Sequence, residues 1–410
     1  MKEGWHIETI SSLCEQMNGI WKGEKEPLTT AKILRTTNFS KDCQMKLDDL
    51  AIIEVEQKKM EKRRLKRGDI IVEKSGGGPK QPVGRVILFN IDDDDFSFCN
   101  FTSALRIKDQ TKILPEFLHK YLTYLYFSGE TEKYQSNLVG FRNLDFKGYV
   151  SICVKYPSLS EQQRIVALLD AEFAKIDALK ANAEKNLQNA KDLFQAALNK
   201  LIIGGSKGWK STKLKTICSK IGSGATPLGG KSTYGKEGVS LIRSLNVHNN
   251  EFHYEDLAHI NEEQAKQLSN VEIKEDDVLF NITGASVTRC CKVPKDVLPA
   301  RVNQHVSILR LLPDTLLPNF LVYTMISPHH NTALMKMAEN GATRQAITKK
   351  QLEEWVIEYP ETIADQQSIV ARLDVLNEKC KTLQANYEKT LSLCDDLKQA
   401  LLRKAFNGEI

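Results

Sequence analysis

Tyr156-Pro157-Ser158-Leu159-Ser160-Glu161-Gln162-Gln163-Arg164-Ile165-Val166 and Tyr359-Pro360-Glu361-Thr362-Ile363-Ala364-Asp365-Gln366-Gln367-Ser368-Ile369-Val370 are two versions of one passage in a chain of 410 residues. Each runs from a Tyr-Pro pair into a Gln-Gln pair and then into a periodic apolar stretch. The Gln-Gln pairs are 204 residues apart, and Leu169-Asp170 falls on Leu373-Asp374 at the same offset. Ser160-Glu161-Gln162-Gln163 has the pattern of a helix capping box. Beyond it, apolar residues recur in steps of three and four at Ile165, Leu169, Phe173, Ile176, Leu179, Ala183, Leu187, Ala190, Phe194, Ala197 and Leu201. The second copy continues through Ile369, Leu373, Leu376, Cys380, Leu383, Tyr387, Leu391, Cys394, Leu397 and Leu401. This spacing predicts two long amphipathic helices, each about 40 residues and so about 60 Å. Gly204-Gly205 stops the first and Gly408 the second. A stripe that long outruns any compact module, and the economical solution is that the two helices bury each other as an antiparallel coiled coil.

The repeat extends upstream of each helix, though only at landmarks. Trp5 and Cys14 fall on Trp209 and Cys218, and Leu34-Arg35-Thr36-Thr37-Asn38 resembles Ile242-Arg243-Ser244-Leu245-Asn246. Gly68-Asp69-Ile70-Ile71 resembles Asp276-Asp277-Val278-Leu279, and Leu114-Pro115-Glu116-Phe117-Leu118 matches Leu317-Pro318-Asn319-Phe320-Leu321. Short β-like runs (Asp69–Val72, Val83–Phe89, Val278–Ile282, Val306–Arg310) precede helical segments near Pro115–Tyr126 and Pro318–Ile326. The fold class is therefore α+β: two globular modules joined by two long helices, with a pseudo-two-fold internal repeat. The boundaries read as module 1–157, helix 158–204, module 205–360 and helix 361–410.

Composition narrows the function classes. The net charge of +5 permits a nucleic-acid partner without requiring one. Lys58, Lys59, Lys62, Arg63, Arg64, Lys66 and Arg67 form a basic cluster, read equally well as a phosphate-facing patch or a solvated helix face; Asp92–Asp95 reads as a solvated acidic turn. Nine cysteines form no CxxC pair, and adjacent Cys290 and Cys291 read as coincidence rather than redox chemistry, so reduced thiols and a cytoplasmic setting are expected. No apolar run of membrane-spanning length and no signal core appear. The eight histidines show no metal-ligand spacing. Glu56-Gln57-Lys58 has a nuclease-like Glu-x-Lys spacing that charged chains supply by chance.

Duplex DNA has a pseudo-two-fold axis of its own, and two unlike reading heads on a rigid spacer suit a split, asymmetric site. The whole chain resembles the specificity subunits of type I restriction–modification systems. The resemblance rests on the two Tyr-Pro to Gln-Gln passages, on the ending Leu401-Leu402-Arg403-Lys404-Ala405-Phe406-Asn407-Gly408-Glu409, and on Gly222-Ser223-Gly224-Ala225-Thr226-Pro227, similar to the family's Gly-x-Gly-x-Thr-Pro segment. The first module departs from that segment with Met17-Asn18-Gly19-Ile20-Trp21-Lys22-Gly23. The resemblance implies that the modules are target recognition domains and that the helices dock methyltransferase subunits, two per chain. Restriction–translocase subunits would join them. It implies that the chain directs adenine methylation, and cleavage, without catalysing either. S-adenosylmethionine, ATP and magnesium would belong to the partners; the methylation motif Asn/Asp-Pro-Pro-Tyr/Phe and the Phe-x-Gly-x-Gly cofactor loop do not occur here.

Residues for contact with double-stranded DNA are sought among polar and basic side chains at matched positions: Arg35 and Asn38 with Arg243 and Asn246, and Arg85 and Arg142 with Arg289 and Arg344. Arginine grips guanine or phosphate, and Asn or Gln reads adenine. Gln304 and His305 precede a strand, and Lys74 and Ser75 flank the glycine loop Gly76-Gly77-Gly78, which reads equally as a plain turn. At each position a structural role, fixing a turn or pairing a carboxylate, competes with DNA contact. The coiled-coil and partner set is Ile165, Leu169, Phe173, Ile176, Leu179 and Leu187 with Ile369, Leu373, Leu383, Leu391 and Leu401. Two other classes stay open: a coiled-coil scaffold that binds protein, and a DNA-dependent ATPase using Ala225–Ser232, a relaxed Walker A pattern with Lys231. The glycines after Ser232 make a poor helix start for a phosphate loop; the stretch reads better as a surface loop, with DNA phosphate as the alternative contact for Lys231 and Ser232.

Overall fold

The computed structural model describes residues 4–78, 81–138, 141–203, 208–227, 230, 234–235, 237–339 and 345–410. The fold is α+β with an internal repeat. It divides into two compact units, one of residues 1–183 with 389–410 and one of residues 184–388.

In the first unit Ile70–Glu73 lies between Thr102–Ile107 and Val86–Leu88, with Cys14–Asn18 at the edge, in a four-stranded antiparallel sheet. Side chains alternate across a strand. Ile70 and Val72 join the core containing Phe117, Leu118 and Tyr121 from the helix Pro115–Phe127, while Ile71 joins Leu34, Phe96 and Phe98 in another. Burial on both faces is why Ile70-Ile71-Val72 is an unbroken apolar run rather than an alternating one. The second unit repeats this. Val278–Asn281 lies between Val306–Leu311 and Cys290–Lys292, with Cys218–Ser223 at the edge. Val278 and Phe280 share a core with Phe320 and Tyr323, and Leu279 shares one with Leu241, Ile260 and Val302. Cys290 and Cys291 separate onto these two cores as buried free thiols. Burial pushes the Cys291 thiol up to about 12, far from a reactive thiolate.

A two-stranded ladder then delivers each module to its helix: His6–Thr9 with Cys153–Tyr156, and Trp209–Lys213 with Val356–Pro360. The helices span Leu159–Ile202 and Ile363–Phe406, 44 residues each. The first begins ahead of Ser160, so the expected capping box is instead part of the first turn. In the second, Thr362 caps, its Oγ1 accepting from the Asp365 N–H at 3.1 Å. Gly408, at φ +77°, follows the end of the second helix.

The first glutamine of each Gln-Gln pair is fully buried and joins helix to module. Gln162 Oε1 accepts from the Leu114 N–H at 2.9 Å, and its Nε2 donates to Lys112 O and Pro157 O, both at 2.8 Å. Gln366 repeats the pattern: Leu317 N–H at 2.9 Å, Pro360 O at 3.0 Å and Thr315 O at 3.3 Å. Each amide thus ties three points of chain: the Tyr-Pro exit, the loop before the module helix, and the start of that helix at Leu114-Pro115 or Leu317-Pro318. Gln163 and Gln367 are exposed.

Each unit also contains the far end of the other unit's helix. In the first, Phe406 meets Phe117, Tyr121 and Tyr124 edge-on or tilted at 5.1–5.6 Å between ring centroids. In the second, Phe194, Leu198 and Ile202 join Leu373 and Tyr323 in one core. The helices pair antiparallel in the first unit, where Lys180 bonds Asp395 at 2.7 Å and Lys398 bonds Asp177 at 2.5 Å. Ile165, Leu169, Ile176 and Leu373 are buried, and Phe173, Leu187, Ile369, Leu391 and Leu401 half-buried. Leu179 and Leu383 depart from expectation, at 50% and 40% exposed. The inward line steps from Ile176 to half-buried Lys180 and then Ala183, and from Cys380 to half-buried Gln384. A lysine stem covers apolar surface while its ammonium reaches an acid, so a stripe chosen by hydrophobicity alone slips by one residue here.

Gln162→Ala and Gln366→Ala are each expected to lower stability by about 2–3 kcal/mol in urea unfolding, because each strands buried backbone groups. Ile176→Ala should cost about 2–4 kcal/mol, while Leu179→Ala should stay within about 0.5 kcal/mol of the parent.

Candidate nucleic-acid interface

Hydrogen-bond register makes the modules comparable residue by residue. Ile70 pairs with Leu105 and Val278 with Leu309. Continuing both ladders places Glu73 opposite Asn281, Lys74 opposite Ile282, Ser75 opposite Thr283, and Phe101 opposite His305 in the comparison. The bonds agree: Lys74 N–H donates to Phe101 O at 2.9 Å and Ile282 N–H to His305 O at 3.0 Å.

The matched Asn38 and Asn246 are turn-fixing residues, 1% and 0% exposed. Asn38 Oδ1 accepts from the Arg35 N–H at 2.8 Å, and Nδ2 donates to Lys46 O and Asp49 O. Asn246 does the same with Arg243 N–H, His253 O and Glu255 O. Burial and saturation of these amides remove them from base reading. Half-buried Arg35 and Arg243 brace the same turns, through Asp49 and through the Asp256 carbonyl.

Arg85 is likewise structural. Its guanidinium forms a bidentate pair with Glu73 at 2.7 and 2.8 Å and donates to Phe39 O and Thr36 O; side-chain exposures are 8% and 1%. In the second module Asn281 Nδ2 reaches the corresponding carbonyls, Ser244 O and Val247 O. One neutral amide there replaces a buried ion pair. The arginine at the matched position, Arg289, is half-buried and lies 3.3 Å from His248 Nε2. His248 stacks on His253 at 3.6 Å. Burial, His253 and Arg289, in that order, hold His248 below the usual histidine range.

Past Glu73 and Asn281 the strands open onto a polar edge. In the first module Lys74 Nζ donates to Asn18 Oδ1 at 3.1 Å, and Ser75 Oγ donates to Asn143 Oδ1 at 2.6 Å. Burial holds the Lys74 ammonium below the ordinary lysine value. Phe101, 48% exposed, adjoins them through its carbonyl. Arg142 is half-buried, 3.8 Å from Glu132. In the second module Thr226, Gln304, His305 and Thr283 form one hydrogen-bonded chain. Thus Lys74 and Ser75 share one edge, and Gln304 and His305 the other. Lys231 and Arg344 lie outside the described residues, as do Leu228, Gly229 and Ser232 of the Walker-like loop.

Gly19 resolves the departure of the first module from the Gly-x-Gly-x-Thr-Pro pattern. A Cβ on Gly19 would lie 1.9 Å from Cys99 O, and one on Gly224 would lie 1.7 Å from Val302 O. Both glycines follow the edge strand and let it pass close to a neighbouring carbonyl. The glycine loop is more ordered than a plain turn: Ser75–Gly77 is a strand paired with Phe141–Leu144.

The acidic run is solvated as expected, with the Asp92 and Asp94 side chains 75% and 84% exposed, and it also carries ion pairs. Asp92 pairs with Arg67 at 2.9 Å, Asp93 with Lys32 at 2.6 Å and Asp94 with Arg64 at 3.7 Å, while Lys58, Lys62 and Lys66 stay exposed. Among the described residues no group of three or more His, Cys, Asp and Glu could hold a metal, and no helix is long and apolar enough to cross a membrane.

Asn18, Asn100, Phe101, Asn143, Thr226 and Thr283 were not singled out as contact residues from sequence. Transferring the offset of His305 would have found Asn100 and Phe101; Asn18 and Asn143 carry no sequence signal, because their partners are distant in the chain.

The model of the type I restriction modification DNA specificity domain matches this chain twice, over residues 2–189 and 206–392. The chain belongs to the type I restriction–modification specificity-subunit family. This specificity subunit is 22% identical to the EcoKI specificity subunit of Escherichia coli K12, over 100% of this chain and 90% of the relative. It is 27% identical to the Escherichia coli EcoBI specificity subunit, over 62% of this chain and 57% of the relative. In fold it is similar to a chain from a type I R-M system assembly (TM-score 0.78, 20% identity, 100% and 99% of the two chains). It is also similar to the HsdS subunit of Thermoanaerobacter tengcongensis (TM-score 0.58, 19% identity, 100% and 98%).

Arg85→Ala leaves Glu73 buried without its partner and is expected to cost about 3–5 kcal/mol. Adding Glu73→Asn, which imitates Asn281, should restore part of it. Arg289→Ala should change unfolding stability little; equal losses at the two arginines would contradict their different roles.

Proposed function

We propose that this specificity subunit reads a split, asymmetric site in duplex DNA, with residues 1–157 and 205–360 as two target recognition domains and residues 158–204 and 361–410 as the spacer that sets the gap. The observation that carries this reading is that two modules of one topology, each locked to its helix by the same glutamine clamp, end in polar edges of different chemistry. Unlike heads on a common frame suit unlike half-sites. Lys74, Ser75, Arg142, Gln304, His305 and Arg289 are the DNA-facing set in this reading, to which the sequence adds Lys231 and Arg344; Arg35 and Arg243 meet the DNA backbone.

The chain itself catalyses nothing in this reading. Methyltransferase subunits, two per chain, carry S-adenosylmethionine and methylate adenine. Restriction–translocase subunits carry ATP and magnesium, and the complex works in the cytoplasm. Exposed Leu179, Leu193, Val375, Leu383, Leu393 and Leu397 on the long helices support a docking role for them.

Long-read mapping of modified adenine in a methylation-free host expressing the chain with its methyltransferase partner tests the reading. The expected result is a split, asymmetric motif that vanishes when the chain is omitted. An assembled complex that leaves no motif would refute it. Lengthening both helices by one turn should change the gap and leave both half-sites intact.

A further inference from the structure

Gln304 is exposed, yet its amide is held on two sides. Thr226 Oγ1 donates to Gln304 Oε1 at 2.6 Å, and Gln304 Nε2 lies 3.1 Å from His305 Nε2. His305 is fixed in turn: its Nδ1 lies 2.6 Å from Thr283 Oγ1. Its backbone N–H donates to Asn303 Oδ1 at 3.0 Å. The chain is therefore continuous from the loop at Thr226, through Gln304 and His305, to Thr283 beyond the central strand. A glutamine tethered in this way has already lost most of its rotamer freedom before any ligand arrives.

A carboxamide has two N–H donors and an oxygen that accepts twice. Thr226 takes one acceptor position and His305 one donor. What remains is one N–H and one lone pair, and turning the amide over leaves the same remainder. In the major groove only adenine offers the complement, an N7 acceptor beside an N6–H donor; guanine shows two acceptors, cytosine a donor, and thymine an acceptor beside a methyl group. We infer that Gln304 is a specificity-determining residue that reads one adenine, through N6 and N7, in the half-site of the second module. The first module has a carboxamide at the matched position, exposed Asn100, but its neighbour is Phe101, whose ring accepts and donates no such bond. At this matched position the Thr–Gln–His tether is present in the second module and has no counterpart in the first.

This inference rests on the DNA-reading role proposed above, and the experiment separates the two. The full chain is assembled with its methyltransferase partner, and the methylated motif of the wild-type complex is determined first. Absence of any motif defeats the DNA-reading role itself. With a motif in hand, duplexes carrying 7-deazaadenine at one adenine at a time remove the N7 acceptor and nothing else. Binding is read by fluorescence anisotropy. The expected result is one adenine, in one half-site, whose replacement weakens wild-type binding about 10-fold. Gln304→Ala should weaken binding to the native duplex by a similar factor and abolish sensitivity at that adenine. Thr226→Val should produce a smaller loss, about 3-fold, at the same base pair, because it frees the amide without removing it. The inference is overturned if no adenine is sensitive in the wild type, if the sensitive adenine stays sensitive in Gln304→Ala, or if Gln304→Ala weakens specific and random duplexes alike.

Discussion

A single buried amide, used twice, holds this architecture together. Gln162 and Gln366 each satisfy one backbone N–H and two carbonyls from separate pieces of chain. Each therefore sets the exit of a module, the entry of a long helix and the start of the module helix in one place. Only a primary carboxamide of glutamine length does this: a carboxylate donates nothing, and a shorter amide does not reach. Because both modules hang from their helices by the same three bonds, everything distal to the clamp is free to diverge.

The divergence is visible where the two ladders can be overlaid. Glu73 and Arg85 together support two carbonyls that Asn281 supports alone. The same arginine position is thereby consumed by the core in the first module and left near the surface in the second. A similar exchange occurs at the helix junction. Lys120 pairs with Asp170 at 2.6 Å in the first module, and Tyr323 donates to Asp374 at 2.5 Å in the second. The first module uses an ion pair at each of these joints; the second uses a neutral amide at one and a tyrosine hydroxyl donating to a carboxylate at the other. Desolvating an ion pair costs more than desolvating an amide, so the equivalence is one of geometry and not of energy.

Much of the architecture was legible before the structure. The repeat, the class, the module helices at Pro115 and Pro318 and the long helices follow from spacing and from proline placement, which are local signals. The candidate site was less legible. Asn38, Asn246 and Arg85 are matched between modules because the fold needs them, and a repeated polar residue looks the same from sequence whether it faces DNA or a carbonyl. Asn18 and Asn143 meet Lys74 and Ser75 across stretches of chain that no local pattern connects. Leu179 and Leu383 misled because a step of three and a step of four both keep phase and the apolar residue was preferred; the inward positions are the polar Lys180 and Gln384.

One last property follows from the way each unit is completed. The first core closes on Leu402, Ala405 and Phe406, residues made only after all of 184–388. At about 5–20 residues per second, roughly 10–40 s of synthesis separate the first part of this unit from the last. During that interval Phe117, Tyr121 and Tyr124 lack their aromatic partner. The first module therefore stays incomplete and apolar on one flank until residues 402–406 have been made and reach it.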